Sequence, residues 1–268
     1  MIPTPDPDYF ESIYERYNRR EYVHPDPLEM VYRYASKGDQ EIAGLIASSL
    51  AYGRVNQILL KSGWVLDLMG PSPELFLKES TRRSLSSCFR GFRYRWTTDR
   101  ELVDLVWAIK CVREEWGSLN AAFKDGMHDD DHDVLPALSA WVELLISRMK
   151  VKKSSLLSSP VDGSACKRMH MFLRWMIRKD DVDPGTWNGI ESSRLLVPLD
   201  AHMHRIARLL GFTRRRQADQ RTVIEITEFF RNLNPGDPVR YDFSLTRFGI
   251  HPGMNAGQLL VHGKTGDS

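Results

Sequence analysis

The stretch Leu195–Phe212, LLVPLDAHMHRIARLLGF, decides the fold class. An apolar run, Leu195-Leu196-Val197, leads into Pro198, and Asp200 stands where a helix should begin. Met203, Ile206, Ala207 and Leu210 follow at i, i+3, i+4, i+7 spacing, one apolar stripe of an amphipathic helix. Gly211 supplies the stop. Asp200 is therefore expected at an N-cap, where its carboxylate accepts from a free backbone N–H at the positive end of the helix dipole. Capping alone accounts for an aspartate there. A chemical role requires other residues that converge on it.

Working outward, nearly every periodic segment has helical spacing and strand-like alternation is scarce, so the fold class is expected to be all-α. Asp8 and Glu11 read as a capping box for a helix through Arg19. In HPDPLEMVYRYASKG, Asp26 is the expected cap, Pro27 the first helical residue, and Gly38 lies past the end. Asp39 is expected to cap the next helix, with the stripe Ile42, Leu45, Ile46 and Leu50. That helix breaks at Tyr52-Gly53, and Val55, Ile58, Leu59 and Leu66 mark another, ended by Gly70-Pro71. A helix–short loop–helix pair thus runs from Asp39 to Met69, with Tyr52-Gly53-Arg54 at its corner. Arg90–Trp96, RGFRYRW, alternates basic and aromatic residues. Such a run can stack bases and track phosphates, or form an irregular surface stretch whose aromatics pack inward.

Thr97–Trp116 is expected as a long helix with Leu102, Val106, Ile109 and Val112 on its core face. MHDDDHD (Met127–Asp133) reads as a solvated acidic loop rather than a metal site, despite His128 and His132. Leu135–Met149 is helical again, Lys152–Ser159 is a Lys/Ser-rich linker or exposed loop, and the tail after Pro252 is expected to be disordered. No internal repeat is evident.

The chain has 268 residues, 42% hydrophobic and 27% charged, which is the composition of a soluble globular protein. No apolar run approaches the ~20 residues of a membrane span, and the N-terminus lacks the apolar region of a signal peptide. The cysteines, Cys88, Cys111 and Cys166, are too scattered for a disulfide framework or a thiolate metal site. A reducing, cytoplasmic setting is the simplest expectation, with no membrane partner. The net charge is only +2 but is unevenly spread. Between Gly163 and Ile250 there are 15 Lys+Arg against 10 Asp+Glu, an excess of +5, which leaves −3 elsewhere.

A second chemical residue lies in GSACKRMHMFLRWMIRKDD. Met169, Phe172, Leu173 and Met176 define a helix that should start near Ser164, which puts Lys167 in its first turn. The helix dipole repels a cation there and so favours the neutral amine, the form a nucleophile needs. A lysine that extends into solvent explains the same residue without chemistry. Cys166, with His170 one helical turn on, offers a different nucleophile–base pair.

VPLDAHMHRIARLLG resembles the catalytic segment of the helix-hairpin-helix (HhH-GPD) DNA glycosylases, the superfamily that contains endonuclease III and the 8-oxoguanine glycosylases. Its members carry V-D-x-H before a helix, and the 8-oxoguanine branch carries V-P-V-D-x-H-M. GSACKR is similar to the G-x-G-x-K-T that begins the preceding helix. The resemblance implies that Asp200 is the catalytic aspartate and Lys167 the Schiff-base lysine, 33 positions apart as in archaeal 8-oxoguanine glycosylases. It also implies contacts to nucleic acid from Tyr52, Gly53, Arg54, His202, Arg205 and Arg208, with Arg214–Arg216 as further phosphate-binding candidates. The sequence departs from the superfamily in three places. Ala51-Tyr52 replaces the polar residue that enters DNA, GSAC replaces the L-P-G-V-G hairpin, and the cysteine set of an iron–sulfur cluster is absent. No cofactor is therefore expected.

HPDPLEMVYRY, ASSLAYGRVNQIL, GSACKRMHMFLRWM and PLDAHMHRIARLLG are also similar to a bacterial family known only as a domain of unknown function. Together these resemblances imply a single two-lobed all-α domain over residues 1–251. One lobe would hold about 39–179 and the other about 1–38 with 182–250, and a cleft between them would hold Lys167 and Asp200. The implied activity is excision of a damaged base from duplex DNA, with strand cleavage through the lysine. The alternative is a nucleic-acid-binding or interaction protein that kept the fold and lost the chemistry.

Overall fold

Local capping chemistry sets where most helices start, and tertiary partners decide which of two competing caps is used. The structure is a computed structural model that describes residues 6–262 apart from Lys152 and Pro252. Helix α1 spans Pro7–Tyr17 and is capped by Asp6, whose side chain accepts from the Asp8 N–H. The expected Asp8/Glu11 box is not formed. Pro7 fits the first helical position and moves the start upstream, and Glu11 instead accepts from Arg240 and Tyr241. Asp26 does cap the next segment, in a reciprocal box with Glu29, but the segment is a 3₁₀ helix, Pro27–Arg33. Gly38 lies inside α2 (Lys37–Ser49) rather than between helices, because Ser36 is the cap. Asp39 is freed to accept from Ser72 Oγ at 3.0 Å and from the Glu74 N–H at 2.8 Å.

The α2 stripe Ile42, Leu45, Ile46 and Leu50 is fully buried, and α2 ends at Ser49, just ahead of the expected break at Tyr52-Gly53. Helix α3 (Val55–Met69) follows, ended by Gly70, then the short α4 (Pro73–Glu79) and α5 (Arg82–Cys88). RGFRYRW forms a hairpin rather than an irregular stretch. Strand β1 (Arg93–Tyr94) pairs antiparallel with β2 (Thr97–Thr98). Thr98 with Glu101 then makes a capping box for α6 (Asp99–Trp116), so Thr97 belongs to the strand and not to the helix. Leu102, Val106, Ile109 and Val112 form the buried face of α6.

The short α7 (Leu119–Asp125) and the apolar α8 (Leu135–Ser147) complete the first part of the chain. The start of α7 is held by a buried carboxylate of α2. Glu41 accepts from the Leu119 N–H at 3.0 Å and from Trp187 Nε1 at 2.9 Å, and it pairs with Arg113. The loop that precedes α9 buries Leu156 and Leu157, so the Lys/Ser-rich stretch is not simply exposed. Trp141, Phe172, Phe123 and Trp187 pack there into one aromatic cluster.

Helix α9 (Lys167–Ile177) runs through the middle of the molecule and packs on α2. From Met169 to Ile177 every residue is buried, including His170, Arg174 and the Arg178 that follows. Helices α10 (Ala201–Leu209), α11 (Gln220–Leu233) and α12 (Asp242–Ile250) follow, with α12 against both α10 and α1. Phe10 of α1 sits among Phe212, Phe230 and Tyr241, so the chain's first helix completes the core of its last ones. Within the tail expected to be disordered, Gln258–His262 forms α13, and Tyr9 donates to the Leu259 carbonyl at 2.6 Å; residues 263–268 of that tail lie outside the described residues. Among the described residues no helix is long and apolar enough to cross a membrane.

His170 provides a test of this packing. Burial pushes its imidazole down to about 4, and its Nδ1 has no partner among the described residues. The unfolded chain takes up a proton near pH 6.5, well before the folded chain can. Stability is therefore lost as pH falls from about 6.5 toward 4. Chemical denaturation at pH 6.5 and 4.5 should show a loss from this group of roughly 2–3 kcal/mol. His170→Leu should remove that share of the pH dependence.

Candidate active site

Four helical segments begin around one cavity of about 640 Å³. They are the 3₁₀ helix at Asp26-Pro27, α3 at Arg54-Val55, α9 at Lys167 and α10 at Asp200-Ala201. Helix α12 lies along the remaining wall and contributes Asp242, Thr246, Arg247 and Gly249. The positive ends of several helix dipoles thus face the same space, which favours bound negative charge and disfavours a cation. The volume is that of a small-molecule site.

Asp200 caps α10, as its sequence predicts, and Oδ1 accepts from the Met203 N–H at 2.8 Å. Its other oxygen has no hydrogen-bond partner among the described residues, and the residue is half-buried at the cavity wall. Helix α10 is fixed behind it by Met203, Ile206 and Ala207, all fully buried. Lys167 is the first residue of α9 and also lines the cavity. It has no ion pair among the described residues. The helix starts at 167 rather than near Ser164 because Cys166 takes a left-handed backbone conformation, with φ +44°. Ser164 instead pairs in a β-bridge with Asp219.

Arg168 anchors this start. Its guanidinium donates to the Ser49 and Ser155 carbonyls, each at 2.6 Å, and lies 5.4 Å from the Tyr52 ring centroid. One arginine therefore joins the beginning of α9 to the end of α2 and to the corner that follows. At that corner Tyr52, Gly53 and Arg54 all line the cavity. Gly53 has φ +92°, and a β-carbon there would come within 3.0 Å of Arg95 and Tyr94, so the hairpin packs directly on the glycine. His202 also reaches the cavity and sits tightly over Gly249, where an added β-carbon would meet Nδ1 at 2.5 Å.

Arg205 and Arg208 are elsewhere. They are exposed and line a separate depression with His204, because α10 turns positions 205 and 208 away from its N-terminal mouth. Arg215 is not a free cation, since it donates to Thr222 and pairs with Asp219 at 2.8 Å. The Cys166 thiol is buried, and burial pushes its pKa up, the opposite of what an activated nucleophile needs. His170, its supposed base, is buried in the core with its pKa driven down. The Cys166/His170 pairing is therefore set aside. Among the described residues no cluster of three or more His, Cys, Asp or Glu could hold a metal ion.

Beneath the cavity lies a charged layer that sequence reasoning did not find. Arg174 bonds Asp183 at 3.2 Å and Asp242, while Arg247 bonds Asp26 at 3.1 Å. All are buried. Asp242 Oδ1 has no partner among the described residues. Burial pushes the Asp242 carboxyl up to about 6 even though Arg174 opposes the shift, and nearby Asp200 adds to it. Desolvation wins over one ion pair. Nothing in the local pattern DFSLTR marks Asp242 as part of a site. Its place is set by the packing of α12 on α10.

A family described as a protein of unknown function (DUF2400) matches residues 26–251. The chain belongs to this family. The match runs from the Asp26 cap to the residue after α12, so all the cavity-lining elements except Pro25 fall inside the family's span. No curated protein and no solved structure matches the chain.

Asp200 can be tested as a cap and as a charge. Asp200→Asn keeps the hydrogen bond to Met203 and should cost no more than about 1 kcal/mol of stability through the dipole. Asp200→Ala loses the bond as well and should cost about 1 kcal/mol beyond that. Thermal melts with denaturant titrations measure both. Carboxyl NMR on the Asn variant should show Asp242 titrating below its parental midpoint of about 6, because a neighbouring negative charge is gone.

Proposed function

We propose that this chain is a DNA base-excision glycosylase with lyase activity, acting on a damaged base in duplex DNA. The observation that carries the reading is the meeting of Lys167 and Asp200 in one cavity. They are 33 residues apart, each at the start of a different helix, and Tyr52-Gly53-Arg54 forms the facing corner. The resemblance of VPLDAHMHRIARLLG and GSACKR to the HhH-GPD segments supports the same assignment. On this reading the molecule is two-lobed, with residues 39–179 in one lobe and 1–38 with 182–250 in the other. The cavity is then the cleft between them.

The target nucleotide leaves the base stack and enters the cavity. The Lys167 amine attacks C1′ while the C1′–N bond breaks, and the base leaves with the bonding electrons. Asp200 stabilises the positive charge that develops on the sugar and takes the proton released as the lysine nitrogen bonds to carbon. Ring opening then gives the imine. Loss of a C2′ proton from that imine expels the 3′ phosphate and cuts the strand. Arg54 and the convergent helix N-termini supply positive potential for the flanking phosphates.

A second reading, a nucleic-acid-binding or interaction protein that lacks the chemistry, is favoured by one specific observation. Gly163, in the loop that stands where the superfamily has its phosphate-gripping hairpin, accepts from the Gln220 N–H at 3.2 Å. The N–H groups of this loop are also taken, that of Gly163 by the Pro160 carbonyl at 2.9 Å and that of Cys166 by Ser164 Oγ at 3.3 Å. A phosphate needs such donors free.

Borohydride trapping on duplexes carrying abasic sites or oxidised, alkylated and deaminated bases separates the two. A covalent protein–DNA adduct is expected with at least one lesion, and Lys167→Gln should abolish it. Asp200→Asn should fold and bind but slow single-turnover base release by a hundredfold or more, about 3 kcal/mol in the barrier. An adduct that persists in Lys167→Gln removes the lysine from its role. Tight duplex binding with no adduct and no base release from any lesion selects the second reading.

A further inference from the structure

The β1–β2 hairpin carries Trp96 at its tip, against Tyr52 of the cavity wall, and the residue is 56% exposed. An exposed tryptophan is ordinarily a liability, yet this one is held in place. Its ring stacks on Tyr52 with centroids 5.0 Å apart and planes 14° from parallel. Tyr52 also stacks on Tyr94, at 4.6 Å, and its hydroxyl lies 2.6 Å from Thr97 Oγ1. Arg95, between the strands, has φ +53°, a backbone conformation that a residue with a side chain adopts at a cost. Its guanidinium lies 4.8 Å from the Trp96 ring centroid.

The ground beside the hairpin is basic. Arg54, Gln57, Lys61, Arg93, Tyr94 and Arg95 line a second depression of about 480 Å³, with no carboxylate among them. None of the four cations forms an ion pair among the described residues. Arg54 lines both this depression and the cavity that holds Lys167 and Asp200, so the two surfaces are continuous. Cations without ion pairs, one of them against an exposed indole that is itself seated on a second aromatic ring, are the elements with which proteins hold an unpaired base and its phosphates.

We propose that the hairpin tip is a stacking platform for an unpaired base next to the flipped nucleotide, with Trp96 against the base and Arg54, Lys61, Arg93 and Arg95 along the adjoining phosphates. The proposal rests on the glycosylase reading and adds a residue that it does not use. The helical corner presents Ala51-Tyr52, and Tyr52 is already covered by Trp96. The surface that meets the vacated stack is therefore the hairpin and not the corner. The platform predicts preference for a duplex with a missing or extruded base over an intact one, whatever the lesion.

Binding of the full chain is measured on two duplexes of one sequence, one intact and one carrying a tetrahydrofuran abasic analogue opposite 2-aminopurine. The analogue cannot be processed, so catalysis does not enter the readout. The parent should bind the abasic duplex more tightly and quench the 2-aminopurine. Trp96→Ala should weaken the abasic complex about tenfold, change the intact complex by less than about threefold, and abolish the quenching. Trp96→Phe, which keeps a ring, should restore most of the preference. Melting curves of both variants should match the parent, since the side chain is largely exposed. Equal losses on both duplexes, or none, overturn the platform. So does competition by poly-glutamate that equals competition by DNA of the same charge, which would make the patch a general anion surface. If Trp96→Ala loses no duplex preference while Lys167-dependent trapping is intact, the platform fails and the glycosylase reading stands. If the parent binds no duplex, both fail.

Discussion

Several helices begin at the same place, and the rest of the site follows from that. A helix N-terminus leaves backbone N–H groups without partners and carries about half a positive charge. To gather several of them around one cavity, the fold must supply acceptors or tolerate the potential. Two of the segments bring their own carboxylate, Asp26 in a capping box and Asp200 through Met203. The other two, α3 and α9, have no side-chain cap at all, and each places a cation at its start, Arg54 and Lys167. Helix starts that omit the usual cap and carry the wrong charge are locally unfavourable. Both open onto the same cavity, whereas α1, α2, α4 to α7 and α11 each carry a side-chain cap.

What holds these starts in place is ionic and buried. Arg178 bonds Asp183 at 3.1 Å and Asp237 at 2.8 Å and also pairs with Asp180, and Arg174 joins Asp183 to Asp242. One helix, α9, thereby grips the turn that follows it, the segment before α12, and α12 itself. Coulomb attraction raises the pKa of both arginines against the effect of burial. Such networks are weak evidence for net stability, because an apolar replacement of equal shape often does as well. Their consequence is geometric. Loss of one partner leaves a buried charge uncompensated, at a cost of about 3–5 kcal/mol, so α9 and α12 cannot slide relative to each other. Lys167 lies at the beginning of one and Asp242 at the beginning of the other.

The parts of this arrangement that depend on neighbours in sequence were legible there. The Asp200 cap, the α10 stripe, the Asp26 cap with Pro27 behind it, the break at Tyr52-Gly53 and Lys167 in a first turn are all short-range facts. Where sequence reading failed, a distant partner had changed a local choice. Asp39 gives up the cap of α2 to Ser36 because Ser72 and Glu74 claim its carboxylate. Glu11 leaves a capping box for Arg240, which is 229 residues away. RGFRYRW becomes a hairpin because Tyr52 gives its aromatic rings a surface to stack on. Asp242 carries no local signal at all.

Asp200 and Asp242 show why position matters more than residue type. Both are aspartates at the start of a helix, on neighbouring helices, and both line the same cavity. Asp200 is half-buried and accepts a backbone N–H, while Asp242 is 3% exposed and leaves one oxygen without a partner among the described residues. For Asp242 the loss of hydration outweighs the attraction of Arg174, and its carboxyl is pushed up to about 6. The carboxylate of Asp200 adds to that shift, so protonation of one residue depends on the charge of the other. A cation that entered the cavity between them would lower the Asp242 pKa and release its proton. A ligand's charge would then be felt at Asp242 and, through Arg174, in the buried network that positions α9. The link from cavity to scaffold therefore runs through one arginine, and its direction is set by whether burial or charge dominates at Asp242.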